Sequence, residues 1–159
     1  MEKKALYKLL LKQIPGVLEG EKMYIPALAN VASLLNNTLP EVNWAGFYLM
    51  HRGMLLLGPF MGNPACVRIE PGKGVCGAAA KEKQTQLVKD VHQFPGHIAC
   101  DSASNSEIVV PIFKGGNVLG VLDIDSPVLN RFDEVDREGL EAIVKLLEET
   151  ILWESHSLA

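Results

Sequence analysis

Ser106-Glu107-Ile108-Val109-Val110-Pro111-Ile112-Phe113-Lys114 is followed by Gly115-Gly116-Asn117 and then by Val118-Leu119-Gly120-Val121-Leu122-Asp123-Ile124-Asp125. Two Val- and Ile-rich runs separated by a Gly-Gly-Asn break predict an antiparallel hairpin. Side chains alternate along a strand, so Asp123 and Asp125 share one face, opposite Leu122 and Ile124. If the apolar face meets helices, both acids look into whatever the loops enclose. Glu107, opening the partner strand, can then lie beside them.

The pattern continues outward from this hairpin. Val42 to Met50, carrying Trp44, Phe47 and Tyr48, and Met54 to Phe60 predict a second hairpin around His51-Arg52-Gly53, and Leu87-Val88 is a short strand. Leu6, Leu9, Leu10 and Ile14 share a helical face that Pro15-Gly16 should end. A second helix is expected from Glu21 to Asn37, with Ile25, Leu28, Ala29, Ala32 and Leu35 as its stripe. Gly74 to Lys83 is a short Ala-rich helix. Asp133 to Trp153 is a long one, with Leu140, Ile143, Val144, Leu147 and Ile151 inward. Helices at both ends with hairpins between them predict the α+β class: a central antiparallel sheet with the N- and C-terminal helices packed on one face. The 159 residues are expected to form a single domain, 1–159, with a core of its own.

Composition narrows the function classes. A 48% hydrophobic and 21% charged chain is an ordinary globular one, and a net charge of -4 provides no basic face for a nucleic acid. No stretch of about eighteen apolar residues predicts a membrane span. Lys8 and Lys12 break up the apolar N-terminal run, so it does not read as a secretory signal, and a cytoplasmic location is expected. In that reducing setting an odd count of three cysteines points to reactive, metal-binding or buried thiols rather than permanent bridges.

All three thiols fall between the hairpins. Cys66 sits in a Gly- and Pro-containing loop from Gly62 to Gly74. Cys76 sits in the first turn of the short helix, where backbone N–H dipoles favour a thiolate. Cys100 sits in a long loop from Asp90 to Asn105 that also carries His92 and His97. Thiols gathered with Glu107, Asp123 and Asp125 suggest redox chemistry. Each residue also has a plainer reading: Cys76 as core packing, Trp44 and Tyr48 as sheet aromatics, Asp123 and Asp125 as solvated strand residues. A zinc site from Cys66, Cys76, His97 and Cys100 is a further alternative, disfavoured because C-x9-C is not the usual short knuckle.

Four motifs together carry a family resemblance: Asn43-Trp44-Ala45-Gly46-Phe47-Tyr48, the cysteines at C-x9-C-x23-C, Ser106-Glu107-Ile108-Val109-Val110-Pro111, and Gly120-Val121-Leu122-Asp123-Ile124-Asp125-Ser126. With them the chain resembles the free methionine-(R)-sulfoxide reductases built on a GAF domain. The resemblance implies a GAF-like sheet and a pocket for free methionine sulfoxide. Trp44 and Tyr48 would be its aromatic residues, and Glu107, Asp123 and Asp125 its acids. It implies Cys100 as nucleophile, Cys66 as main resolving thiol and Cys76 as an alternative partner. It also implies no bound cofactor or metal, thioredoxin as external reductant, and a homodimer. Reducing a sulfoxide needs a thiol to attack sulfur, an acid to protonate the oxygen and a second thiol to close a disulfide, and the chain has parts for each step. Three crowded carboxyls would raise one another's pKa, keeping one protonated for the second task. The rival from another class is a GAF sensor that binds a small ligand such as a cyclic nucleotide without chemistry.

Overall fold

In the computed structural model, residues 1–97 and 103–153 are described. Helix α1 (Lys3–Val17) and helix α2 (Tyr24–Thr38) precede strands β1 (Trp44–His51), β2 (Met54–Met61) and β3 (Arg68–Ile69). Helix α3 (Gly74–Glu82), strand β4 (Gln86–Val88) and a 3₁₀ turn (Val91–Gln93) follow. Strands β5 (Ser106–Lys114) and β6 (Asn117–Ser126) lead to helix α4 (Glu134–Thr150). The six strands form one antiparallel sheet in the order β3-β2-β1-β6-β5-β4.

Period-two alternation divides the residues of this sheet between two cores. Ala45, Phe47, Ile108, Val110, Ile112, Leu122 and Ile124 face α1, α2 and α4, meeting Leu10, Ile14, Leu28, Leu35, Leu140 and Leu147. The opposite face carries Trp44, Tyr48, Val109 and Val121, packed with Ile69 and with Val75, Cys76, Ala79 and Ala80 of α3. The α+β sheet with its terminal helices on one face is therefore as the sequence predicts, and α3 with its adjoining loops roofs the second face. Turn chemistry agrees: Arg52 and Gly53 have φ of 51° and 79°, the pair of positive values that a tight two-residue hairpin turn requires.

Several boundaries differ from expectation. Helix α1 runs through Pro15 to Val17, because a proline in the last turn forfeits one hydrogen bond while the ladder resumes at Leu18 N–H to Ile14 O, 3.0 Å. Helix α2 starts three residues later than expected, since Met23 bridges Leu152 in a short parallel pairing. Its buried stripe is Tyr24, Ala27, Leu28, Val31, Ala32 and Leu35, leaving Ile25 and Ala29 exposed. The loop after β2 contains β3, whose two residues are too few for any periodicity to reveal. Among the described residues no helix is long and apolar enough to cross a membrane.

Candidate active site

The register of the three central strands places three of the predicted pocket residues in one cross-strand row. Trp44 of β1 lies opposite Asp125 of β6, and Asp125 lies opposite Glu107 of β5. One pleat further along, Asp123 faces Gly46 and Val109. Gly46 has a reason to lack a side chain: a Cβ there would run into Phe60 and the Trp44 ring. Trp44 stacks on Phe60 at 5.2 Å and on Tyr48 at 6.1 Å between ring centroids, making an aromatic wall beside the acids. The polar ends of both rings are tied back to the loop after β2. Trp44 Nε1–H donates to Asn63 O at 3.0 Å, and Tyr48 O–H donates to Cys66 O at 2.8 Å.

Helix α3 closes the other side. These groups line a cavity of about 40 Å³, in which Trp44, Tyr48, Cys76, Glu107, Asp123 and Asp125 converge. Its wall also includes His97, considered from sequence only as a zinc ligand, and Lys73 and Ser104, which no motif had singled out as binding groups. A lysine at the N-cap of a short helix and a serine in a loop carry no periodic signal. Only the folded geometry recruits them.

The electrostatics of this pocket are lopsided. Glu107 and Asp123 are 7% and 5% exposed, yet among the described residues neither has a lysine or arginine ion-pair partner. The Cys76 thiol donates to Asp123 Oδ2 at 3.3 Å, while Asp123 Oδ1 is buried without a hydrogen-bond partner. Burial, and then the charges of Asp123 and Asp125, push Glu107 well above its ordinary 4.5. Burial also raises Asp123, but hydrogen bonds from Glu107 and Cys76 and the nearby His97 work against that rise. Of the two carboxyls, both raised by burial, Glu107 is the one pushed well above its ordinary value. The solvated reading of Asp123 is excluded by its burial.

The thiols occupy distinct environments. Cys76, in the first turn of α3, was expected to be a favoured thiolate. Instead burial, followed by Asp123 and Glu107, raises it well above its usual 9.0. Two carboxyls and a dry site outweigh the helix terminus, so Cys76 is a protonated hydrogen-bond donor. Cys66 lies half-buried in its loop and is disulfide-bonded, whereas Cys76 is free. Cys100, expected to be the nucleophile, lies outside the described residues. The alternative zinc set is not assembled among the described residues: Cys76 groups with Glu107 and Asp123. His92 instead pairs with Asn105 at 3.0 Å, and burial lowers His97 below 6.5.

Comparison with known proteins identifies the family. The GAF domain family profile matches residues 28–151. The free methionine-R-sulfoxide reductase of Escherichia coli is 48% identical over 95% of this chain and 92% of its own. The free methionine-R-sulfoxide reductase of Neisseria meningitidis, solved in complex with its substrate, superimposes with a TM-score of 0.93 at 43% identity, covering 98% of this chain and 93% of that one. The Staphylococcus aureus fRMsr, also in complex with substrate, is 56% identical with a TM-score of 0.87, covering 91% and 95%. With the aromatic wall, the buried acids and the thiol all in one pocket of a GAF sheet, the chain belongs to the GAF-domain family of free methionine-R-sulfoxide reductases.

Proposed function

We propose that this chain reduces free L-methionine-(R)-sulfoxide to L-methionine through a cysteine cycle that thioredoxin completes in the cytoplasm. The observation that carries this reading is a pair of buried carboxyls, Glu107 and Asp123, set against the stacked Trp44 and Tyr48 with no described lysine or arginine paired to them. A cationic group beside a short apolar chain, as in a free amino acid with a thioether-like tail, supplies what such a pocket lacks. Lys73 and the open amides at the start of α3 are the groups left to meet an α-carboxylate.

In the cycle, the Cys100 sulfur attacks the sulfoxide sulfur and Glu107 delivers the proton to its oxygen. The oxygen passes from the substrate sulfur to the Cys100 sulfur as the substrate's S–O bond breaks, methionine leaves as the thioether, the thiol proton restores the Glu107 acid, and Cys100 is left as a sulfenic acid. The Cys66 thiol then displaces water and closes a disulfide, so that one sulfoxide and two thiols become one sulfide, one disulfide and water. Support for Cys66 over Cys76 as resolving thiol comes from their states here: Cys66 is disulfide-bonded, and Cys76 is free, buried and bound to Asp123.

The test couples the protein to thioredoxin, thioredoxin reductase and NADPH. NADPH should be consumed with the free (R) sulfoxide, not with the (S) epimer, and Cys100→Ser should abolish turnover. Silence with every sulfoxide, from protein with confirmed free thiols, would overturn the reading and leave a ligand-binding GAF sensor.

A further inference from the structure

We infer that Cys76, Glu107 and Asp123 form a binding site for a borderline divalent cation, zinc above all, distinct in its ligands from the four-residue set considered on sequence alone. The Cys76 sulfur and one carboxylate oxygen from each acid lie within 4.8 Å of one another, and all three residues are buried. The Cys76 Sγ to Asp123 Oδ2 separation is already 3.3 Å. Zinc with bonds of about 2.3 Å to sulfur and 2.0 Å to oxygen places tetrahedral ligand atoms roughly 3.5 Å apart, so the Cys76–Asp123 pair needs little adjustment and Glu107 lies within reach of a side-chain shift.

A second observation points to a ligand independently of that spacing. Asp123 is 5% exposed, lines the cavity, and its Oδ1 has no hydrogen-bond partner. A buried carboxylate oxygen of this kind calls for a proton or a cation. One thiolate with two carboxylates is a donor set that favours zinc over magnesium or calcium, which prefer all-oxygen shells. The cavity's about 40 Å³ admits an ion and a water but little more, and His97 stands in the same wall. Loading displaces the Cys76 thiol proton and the Glu107 proton to solvent, with no change of oxidation state. The ion is a competitor and not a resident cofactor: it occupies the place assigned above to the substrate's ammonium. That last consequence rests on the reductase reading, whereas the binding does not.

Cobalt(II) is the probe, because a thiolate ligand gives it a near-ultraviolet charge-transfer band and tetrahedral geometry intensifies its visible bands. The titration is run on oxidised protein, in which Cys66 is disulfide-bonded and Cys76 is the free thiol. Expected is a charge-transfer band that saturates at one ion per chain, is displaced by zinc and is absent in Cys76→Ala. Glu107→Gln should weaken binding by at least about 10- to 100-fold, the loss that even an outer-shell partner of a metal brings. A zinc-dependent rise in melting temperature in the unsubstituted protein, missing in Glu107→Gln, supplies a readout that does not depend on Cys76→Ala folding well. Absence of the band, or a band that survives Cys76→Ala, overturns the site. Neither readout involves sulfoxide turnover, so failure here leaves the reductase reading intact, and failure of turnover leaves the metal site intact.

Discussion

Two clusters around buried carboxylates, one holding Asp136 and the other Glu107 with Asp123, are built on opposite terms. At the junction of α1 and α4, Asp136 is completely buried, and both its oxygens are supplied with donors. Tyr7 O–H donates to Oδ1 at 2.7 Å and Lys3 Nζ to Oδ2 at 2.6 Å. Arg131 Nη1 lies 3.3 Å from Oδ1, and the Asp133 N–H completes a capping box at 2.9 Å. In the pocket, Glu107 and Asp123 have a thiol and each other. A buried charge is costly unless paired and hydrogen-bonded, so the first cluster ties the terminal helices together, while the second has no lysine or arginine partner among the described residues. On the reading proposed above, pairing marks a structural clamp, and its lack among the described residues marks a binding site.

The contrast is broken most sharply at Glu107. Glu107→Gln keeps a donor for Asp123 and removes one acid, so kcat/KM for the free (R) sulfoxide should fall by about 10²–10⁴-fold, the usual worth of a positioned proton donor. The urea midpoint should hold or rise. A large loss of stability would show that the pocket acids are structural after all.

Asp136→Ala should do the reverse. It strands Arg131 and Tyr7 in the interior, and the expected cost is about 3–5 kcal/mol by urea denaturation, with KM unchanged in whatever remains folded. A shift in KM with stability intact would erase the distinction between the clusters.

The clusters also have opposite pH signs. Glu107 is raised by burial, then by Asp123 and Asp125, so between its ordinary 4.5 and its folded value the native chain holds a proton the unfolded chain has lost. Stability therefore falls as pH rises through that window, by up to about 1.4 kcal/mol per pH unit for each such proton. Asp133, beside the clamp, differs: burial tends to raise it, but hydrogen bonds from Lys3 and from the Asp136 backbone leave it below 3.8. Its contribution is present above 3.8 and lost as pH falls further. Denaturation curves across pH should show both limbs, and Glu107→Gln should flatten only the upper one.

The smallest effect belongs to Tyr48→Phe. Removing its 2.8 Å bond to Cys66 O should cost about 1 kcal/mol and slow the oxidised-to-reduced cycle by loosening the Cys66 loop, as stopped-flow thiol kinetics can read.

How much of this was legible beforehand follows from which forces act locally. The alternation in Leu122-Asp123-Ile124-Asp125 assigned its faces, because strand periodicity is a property of a few consecutive residues. The Gly115-Gly116 break and the Arg52-Gly53 turn were readable for the same reason. The state of Cys76 was not: helix position alone argues for a thiolate, and only the sheet brings Asp123 and Glu107 against it. Lys73 and Ser104 reach the pocket through loop paths that no spacing encodes. The Asp136 clamp joins residues from both ends of the chain, Lys3 and Tyr7 with Arg131 and Asp136, and a helical stripe of leucines gives no hint of it.

The central claim is that the pocket's buried acids await a substrate ammonium. It is tested most directly by comparing kcat/KM for free L-methionine-(R)-sulfoxide and its N-acetylated analogue, which lacks that charge. The account predicts a loss of roughly 30- to 3000-fold on acetylation, the worth of one partner in a desolvated charge pair. Equal efficiencies with the two substrates, within about twofold, would show that Glu107 and Asp123 do not answer the ammonium and would contradict it.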